Sequence, residues 1–138
     1  MKIMGLDYGT RRIGVAMSDE LLLTAQGSNT IFNNTPSETI AAIARLVKEN
    51  GVVEVIVGLP INMNGSHGQK AKEVIEFTEN LMKSVTVPVK TWDERLTTRE
   101  AERALLEADM SRAKRKRLND MIAAQLILQG YLDYRRKG

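Results

Sequence analysis

The sequence predicts an α/β fold with a five-stranded mixed sheet and helices on both faces. Three strand-like runs open the chain, two more alternate with amphipathic helical patterns, and two helical segments close it. No internal repeat, low-complexity tract or linker interrupts the 138 residues. A chain of this length buries about two thirds of its unfolded surface, so we expect residues 1–138 to form one domain.

Three strands are predicted at the beginning of the chain. Residues 2–7 and 13–18 are apolar runs, and the short loop between them contains Gly9, as expected for a hairpin. A third, less regular strand is predicted at about residues 22–32, where the residue types favour extended backbone. These strands should form an antiparallel meander.

A helix and a buried strand follow. Thr35 can cap the helix, Pro36 suits its first position, and Glu38 completes a capping box. Gly51 ends the helix. Residues 52–57 are rich in valine and isoleucine, as in strands that are buried within parallel sheets.

The second half of the chain adds one strand and three helices. Ser66 and Gln69 form another capping-box pattern, which predicts a helix that ends near residue 84. Residues 87–92 form the fifth predicted strand. The remaining helices are predicted at about residues 97–108, opened by the capping pair Thr97 and Glu100, and at about residues 112–134.

The predicted order β-β-β-α-β-α-β-α-α is the ribonuclease H-like arrangement, although a shared fold does not by itself establish function. Right-handed crossovers should place the first strand beside the fourth and the fourth beside the fifth, all parallel. The carboxyl ends of these strands then share one edge of the sheet, where ligands bind in open α/β sheets.

The composition limits the kind of site that this edge can hold. Cysteine is absent and His67 is the only histidine, which excludes thiolate metal sites and a histidine-rich zinc centre. A metal would need oxygen ligands, so the predicted cofactor is a hard divalent cation, Mg²⁺ or Mn²⁺. Neither a signal-peptide pattern nor a span of about 18 apolar residues is present, and we expect a cytoplasmic protein with no membrane partner.

Acidic residues fall at this edge of the predicted sheet. Asp7 ends the first strand, and Asp93 and Glu94 follow the fifth. At about 4.8 Å per strand, these two strands lie roughly 10 Å apart. Gly58 presents no side chain between them, and glutamate bridges the gap more easily than aspartate. We therefore favour Glu94, with Asp93 as the alternative on the opposite face; turn-capping or surface roles would also explain these acids.

Asp120 is the third candidate. It precedes the most hydrophobic helical segment and shares a helical face with Ala123, Ala124 and Ile127, which should lie on the sheet. A buried carboxylate is costly without a partner, so a metal or an arginine should meet it; a helix-start cap is the alternative. Asp19 and Glu54 are discounted because they fall at the opposite edge.

Asp7, Glu94 and Asp120 are therefore the predicted catalytic residues and metal ligands. Cleavage of a phosphodiester needs an activated water and stabilisation of charge on the leaving oxygen. Two divalent ions about 3.5–4 Å apart, held by carboxylates, supply both. A metal-dependent nuclease is the function that these positions predict.

Polar and basic residues around this edge are predicted to bind nucleic acid. A loop rich in asparagine precedes a helix start, where free amides favour an anion, and nearby arginines can grip phosphates. Five cations within residues 112–117 can extend a basic track, although such a run also suits a solvated helix face. With one Trp, three Tyr and two Phe, base stacking on an aromatic platform is not expected. The predicted contacts are Arg11, Arg12, Asn62, Asn64, Ser66, Arg95, Arg112, Lys114, Arg115, Lys116 and Arg117.

Four segments carry a family resemblance: residues 5–19, 57–68, 93–97 and 119–132. In this order they resemble the motifs of the YqgF/RuvX family of Holliday junction resolvase-like nucleases. The resemblance implies a ribonuclease H-like fold and a cytoplasmic nuclease that matures the 5′ end of pre-16S ribosomal RNA. It also implies that Asp7, Glu94 and Asp120 hold the metal.

The partners follow from the same resemblance. We expect ribosomal precursor RNA, with branched DNA as the other substrate, and pre-ribosomal particles. A monomer or weak dimer is expected separately, because the sequence contains no coiled-coil seam or similar dimer signal. The resolvase RuvC, by analogy with which the family was first proposed to resolve junctions, takes one acid from its fourth strand and an extra acid from its last helix. Here the fourth strand ends in Gly58, Leu59 and Pro60, and Ala123 replaces the extra acid. A three-ligand site should hold a second ion weakly.

Two other functions fit parts of the sequence. Residues 7–10 match the Asp-x-Gly-Thr phosphate loop of the actin, hexokinase and heat-shock chaperone ATPases, but those enzymes bind nucleotide between two such domains. A noncatalytic RNA-binding or ribosome-assembly factor would keep the fold and the basic track. Asp7→Asn would leave the cellular function of such a factor unchanged, whereas a nuclease would lose cleavage and keep binding.

Overall fold

Five strands form the central sheet in a computed structural model that describes residues 1–96 and 112–137, with side chains described through residue 96 and from residue 121. The strands are β1 (Lys2–Asp7), β2 (Arg12–Ser18), β3 (Ala25–Phe32), β4 (Val52–Leu59) and β5 (Val89–Asp93). Their spatial order is β3-β2-β1-β4-β5. β2 runs antiparallel to β1 and β3, whereas β1, β4 and β5 are parallel. The predicted mixed sheet is confirmed.

Helices cover both faces of this sheet, as predicted. α1 (Pro36–Glu49) and α2 (Gln69–Met82) pack on one face, and α3 (Arg112–Lys137) packs on the other. A single 3-10 turn, Glu94–Leu96, follows β5. The helix predicted at residues 97–108 lies outside the described residues. None of the helices described here is long and apolar enough to cross a membrane.

Alternation along β1 divides its side chains between two cores. Leu6 is fully buried against α1 and α2, whereas Ile3 packs under α3. Gly5 also faces α3: a Cβ on this residue would lie only 2.7 Å from the Leu128 Cβ, so the glycine lets the helix rest on the sheet. Asp7, two residues further along, therefore belongs to the α3 side of the sheet.

Both ends of α1 follow the sequence prediction. The Thr35 side chain accepts a hydrogen bond from the Glu38 backbone N–H at 3.3 Å, and Pro36 opens the helix. Gly51 follows the end of the helix with a φ of 63°, in the left-handed region that glycine favours. Local chemistry is sufficient to define this helix.

The predicted start of α2 at Ser66 is wrong. α2 begins at Gln69, and the preceding Gly68 makes no side-chain cap hydrogen bond. Ser66 bonds within its own loop instead: its hydroxyl donates to Asn64 Oδ1 at 2.6 Å and accepts from the Asn62 side-chain amide at 3.0 Å. These local partners compete with the helix for the serine side chain, and α2 also ends slightly earlier than predicted.

The turn between β2 and β3 explains why β3 starts later than predicted. The Asp19 carboxylate accepts hydrogen bonds from the Leu23 and Thr24 backbone N–H groups at 2.7 and 3.1 Å, which holds both residues in the turn. These bonds lower the pKa of Asp19. The neighbouring Ser18 hydroxyl accepts from the Ile3 N–H at the start of β1, so Asp19 lies at the edge opposite Asp7, as expected.

Candidate active site

Asp7 is held at the carboxyl edge of the sheet by a strand end and a tight turn. It is half-buried, ends β1 and lies opposite Gly14 of β2. A Cβ on Gly9 would lie 2.5 Å from the Arg12 carbonyl oxygen, so the turn after Asp7 closes in this form only with glycine. Strand and turn together fix the backbone position of Asp7, from which its side chain starts on the α3 side of the sheet.

Glu94 lies over Gly58, at the same edge and on the same side of the sheet. Gly58 pairs with Trp92 of β5. A Cβ on Gly58 would lie 2.4 Å from the Ile127 Cδ1 atom and 3.2 Å from the Glu94 Cγ atom. Because β4 lies between β5 and β1, the Glu94 side chain extends across β4 toward the strand that carries Asp7. The glycine leaves the space that glutamate uses.

The Glu94 carboxylate is in a poorly hydrated position. Burial raises the pKa of this carboxyl, the positive charge of Lys70 opposes the rise, and the charge of Asp93 adds to it. Among the described residues, none forms a hydrogen bond or an ion pair with this carboxylate. A divalent cation would compensate for the lost hydration, because metal binding favours the ionised form.

Asp93, the alternative to Glu94, is already paired. Its carboxylate accepts hydrogen bonds from the Arg95 Nε at 3.0 and 3.1 Å and from the Arg95 Nη2 at 2.8 Å. The Arg95 backbone N–H adds a further bond at 2.9 Å. The hydrogen bonds with this guanidinium lower the pKa of Asp93. Of the two acids, Glu94 is therefore the better available ligand.

The beginning of α3 points toward the Asp7 edge because α3 runs antiparallel to β3. From the end of α3 back to its start, each contact with β3 lies closer to the Asp7 edge. Because β1 and β3 run in the same direction, the basic first turns of α3 lie near the candidate site. The contacts that show this are Gln129 Nε2 to the Leu23 carbonyl at 3.1 Å, Gln125 Nε2 to the Ala25 carbonyl at 3.0 Å, and Met121 Cβ at 3.2 Å from the position of a Cβ on Gly27.

Asp120 lies on α3 one turn before Ala124, whose carbonyl oxygen would be 3.1 Å from a Cβ on Gly5. One helical turn covers about 5.4 Å, and the two strand residues from Gly5 to Asp7 cover about 6.7 Å. Helix and strand thus advance by comparable distances toward the same edge. The Asp120 side chain lies outside the described residues, so its place beside Asp7 and Glu94 stays a prediction.

The acids at this edge are suitable ligands for a hard cation. Carboxylate oxygens are the donors that Mg²⁺ and Mn²⁺ prefer, and the partly desolvated Glu94 lacks a counter-charge in direct contact. Within the side chains that the structure describes, no three His, Cys, Asp or Glu residues are close enough to hold a metal. Asp7 and Glu94 fit the predicted cofactor, and Asp120 is the predicted third ligand.

The predicted phosphate-binding residues have different surroundings. Arg95 is paired with Asp93, and its Nη1 also donates to the Asn62 carbonyl at 3.4 Å, so this arginine stabilises the edge itself. Arg11 is exposed, and Arg12 is half-buried at the start of β2. The side chains of Asn62, Asn64 and Ser66 are exposed and bond to one another. The side chains of Arg112, Lys114, Arg115, Lys116 and Arg117 lie outside the described residues.

Sequence reasoning missed Lys70. This lysine acts electrostatically on Glu94 and is exposed in the first turn of α2. A signal for it was present, because the start of α2 was expected at the same edge as Asp7. A cavity of about 390 Å³ lies beside the turn that follows Asp7, and it is lined by Tyr8, Gly9, Thr10, Gln69, Lys70 and Glu73.

The sequence matches a known protein family along nearly its whole length. The family model described as "RuvX: Holliday junction resolvase" matches residues 1–134. A relative from Halothermothrix orenii is 56% identical over 137 residues, which are 99% of this chain and 98% of the relative. A relative from Clostridium novyi is 52% identical over 133 residues, 96% of this chain and 98% of the relative. Both carry the name "Putative pre-16S rRNA nuclease".

Solved structures show the same fold. RuvC of T. thermophilus in complex with Holliday junction substrate superimposes with a TM-score of 0.67, covering 100% of this chain and 96% of that chain at 15% identity. The Fowlpox virus resolvase with Holliday junction DNA gives a TM-score of 0.57 over 97% and 98% of the two chains at 14% identity. These identities are low, so the likeness concerns the fold, and the predicted ribonuclease H-like fold is confirmed.

Proposed function

This chain belongs to the RuvX family, and from that premise we propose that it is a metal-dependent endonuclease that hydrolyses phosphodiester bonds. One observation carries the proposal: Asp7 and Glu94 lie on the same side of the sheet at its carboxyl edge, with no side chain on Gly58 between their strands. The name shared by relatives at 56% and 52% identity supports a nuclease.

In this proposal Asp7, Glu94 and Asp120 hold the metal. When bound there, a divalent metal would supply activation of the attacking water and stabilisation of charge on the leaving oxygen. Asp7 contributes a carboxylate whose backbone is fixed by β1 and the Gly9 turn. Glu94 contributes a half-buried carboxylate, and a bound cation would compensate for the hydration that its charged form loses on burial. Lys70 places a positive charge beside Glu94, where a substrate phosphate can meet it.

The proposed substrate is ribosomal precursor RNA. Cleavage would serve maturation of the 5′ end of pre-16S ribosomal RNA, in the cytoplasm and within pre-ribosomal particles. The name of the curated relatives supports pre-16S RNA as the substrate, and the family resemblance of the four sequence motifs supports the 5′ end and the compartment.

Cleavage of branched DNA is the second candidate, because two structures of this fold were solved with Holliday junctions. Position 58 argues against a fourth-strand acid of the RuvC type. Even a Cβ there would lie 2.4 Å from Ile127 Cδ1 and 3.2 Å from Glu94 Cγ, so an acidic side chain would displace the Ile127 side chain or the glutamate. Ala123 supplies no further carboxylate on α3. We therefore favour RNA processing.

Cleavage assays with three proteins test the catalytic assignment. Wild type, Asp7→Asn and Asp19→Asn are compared on precursor ribosomal RNA and on four-way junctions, with Mg²⁺ or Mn²⁺. Asp19→Asn is the matched control, because it removes the same charge from the opposite edge of the sheet. We expect Asp7→Asn to lose cleavage and keep RNA binding, and the control to keep both.

Two other outcomes have distinct meanings. Identical products from wild type and Asp7→Asn would contradict the catalytic assignment and favour a noncatalytic RNA-binding factor. Cleavage of junctions in preference to precursor RNA would replace the proposed substrate with branched DNA and leave the metal-dependent mechanism in place.

A further inference from the structure

Two of the six aromatic side chains are exposed, and they lie at opposite margins of the fold. Phe32 is 72% exposed at the end of edge strand β3, and Tyr134 is 65% exposed near the end of α3. Tyr8 is half-buried, and the others are buried: Phe77, Trp92 and Tyr131. The two exposed rings differ in what supports them.

Tyr134 rests on an aromatic cluster. Its ring centroid lies 5.5 Å from that of Trp92, with an interplanar angle of 58°, and the Trp92 ring in turn meets Tyr131 edge-on at 5.9 Å. Trp92 can approach α3 because Gly130 has no side chain: a Cβ there would lie 3.2 Å from the indole Nε1. The cluster restrains the Tyr134 ring while most of it stays exposed, which is favourable for stacking.

Positive charge surrounds this tyrosine. The last turn of α3 contains Arg135, Arg136 and Lys137, all exposed. Arg136 is paired with Asp133. Arg135 and Lys137 form no ion pair with any residue that the structure describes. An exposed aromatic ring beside unpaired cations is complementary to a nucleobase and its phosphates.

The tyrosine lies at the edge of the sheet opposite the candidate active site. One turn before it, the Tyr131 hydroxyl donates to the Glu54 carboxylate, and the charge of the neighbouring Arg136 acts on Asp19. Both of these acids lie at the edge opposite Asp7. Along α3, Tyr134 follows Asp120 by about 21 Å at about 1.5 Å per residue, so nucleic acid at Tyr134 would be bound outside the site of the acidic residues.

We infer that Tyr134, with Arg135 and Lys137, binds single-stranded nucleic acid outside the active site, at the opposite edge of the sheet, with a base stacked on the tyrosine ring. The inference rests on the proposed nuclease function. It replaces the expected absence of an aromatic platform by a single stacking position, which composition alone does not reveal because it does not show which aromatic ring is exposed beside cations.

Binding measured without cleavage tests this inference. A single-stranded oligoadenylate of about 12 nucleotides is titrated into the full chain in EDTA, and affinity is followed by anisotropy of a label on the RNA. Trp92 is the only tryptophan, so its fluorescence reports directly on the cluster beneath Tyr134. EDTA removes the metal that cleavage would need, so this binding measurement tests the stacking proposal even if the nuclease proposal is wrong.

Three substitutions separate stacking from packing. Tyr134→Leu keeps apolar cover on Trp92 but removes the π face, and we expect its affinity to fall about 5- to 100-fold. Tyr134→Phe keeps the ring and should bind within about twofold of wild type. Phe32→Leu is the matched control at the opposite margin and should bind like wild type. Thermal melts check that each variant is folded.

The salt dependence tests the cations independently. The double substitution of Arg135 and Lys137 by alanine should reduce the slope of log affinity against log salt by about 1.4. Wild-type affinity for Tyr134→Leu, an equal loss for Phe32→Leu, or an unchanged Trp92 signal on RNA binding would each overturn the inference.

Discussion

A methyl group at position 58 should act on two neighbours at once. In Gly58→Ala the new Cβ would lie 2.4 Å from Ile127 Cδ1, 3.0 Å from Ile127 Cγ1 and 3.2 Å from Glu94 Cγ. Overpacking of this kind costs about 1–3 kcal/mol. Loss of glycine freedom in the unfolded chain offsets about 0.4–1 kcal/mol of that cost. We expect a net loss of about 1–2 kcal/mol in the free energy of unfolding.

A second substitution should restore the lost stability. Ile127→Val removes the Cδ1 atom that makes the shortest contact, and by itself it should cost about 0.5–1.5 kcal/mol. In the double variant Gly58→Ala/Ile127→Val, one methyl group replaces another in nearly the same space, so the packed volume is conserved. The double variant should therefore be more stable than the sum of the single effects by about 1 kcal/mol.

Urea unfolding of the wild type, both single variants and the double variant measures this coupling. The midpoints should shift while the slopes stay equal, which shows that stability alone has changed. Additive losses in the double variant would refute the packing argument, because they would mean that the new methyl group does not occupy the space of Ile127 Cδ1.

Activity should not recover with stability. The contact of 3.2 Å between the new Cβ and Glu94 Cγ remains in the double variant, so the glutamate must move by a few tenths of an ångström. A displacement of this size should lower cleavage by about tenfold, given that about 1 Å can cost 100-fold. Full cleavage by the double variant would separate the position of Glu94 from catalysis, while the stability result would still stand.

Three further predictions follow from the described contacts. Thr35→Ala should lower the free energy of unfolding by about 0.5–2 kcal/mol, measured in urea, because the cap on the Glu38 N–H is lost. Arg95→Ala should flatten the fall in stability on acidification: Arg95 lowers the pKa of Asp93, so wild type loses this stabilisation as the pH falls through that carboxyl's titration. Glu94→Gln should raise the free energy of unfolding at neutral pH without metal, because the raised pKa of Glu94 means that its ionised form destabilises the fold at a pH above that pKa. Added Mg²⁺ should raise the melting temperature of wild type and not of this variant.

The sheet and α1 could be predicted because their determinants are local or topological. The β-branched run of β4 has the residue types of a buried parallel strand, and the handedness of crossovers then leaves one neighbour order. Thr35 and Gly51 fix α1 by hydrogen bonding and backbone conformation that depend on few neighbours. These features require no knowledge of tertiary packing.

The start of α2 and the choice between Asp93 and Glu94 depend on competition between partners. Ser66 could cap a helix or bond to the asparagines of its loop, and its sequence pattern is the same in either case. Asp93 could point into the site or pair with Arg95 two residues away, and the chain takes the second course. Such competitions are decided by the geometry of the folded loop, which spacing does not encode.

Gly58 lies close to both α3 and Glu94. The sequence indicated that a glycine there would leave room for Glu94, but not that Ile127 of α3 would use the same space. Both side chains lie above β4, because each is close to the position of a Cβ on Gly58. A group added at position 58 would therefore act on the packing of α3 and on the position of Glu94 together. An acid on the fourth strand would therefore compete for the space that Glu94, the proposed ligand, occupies.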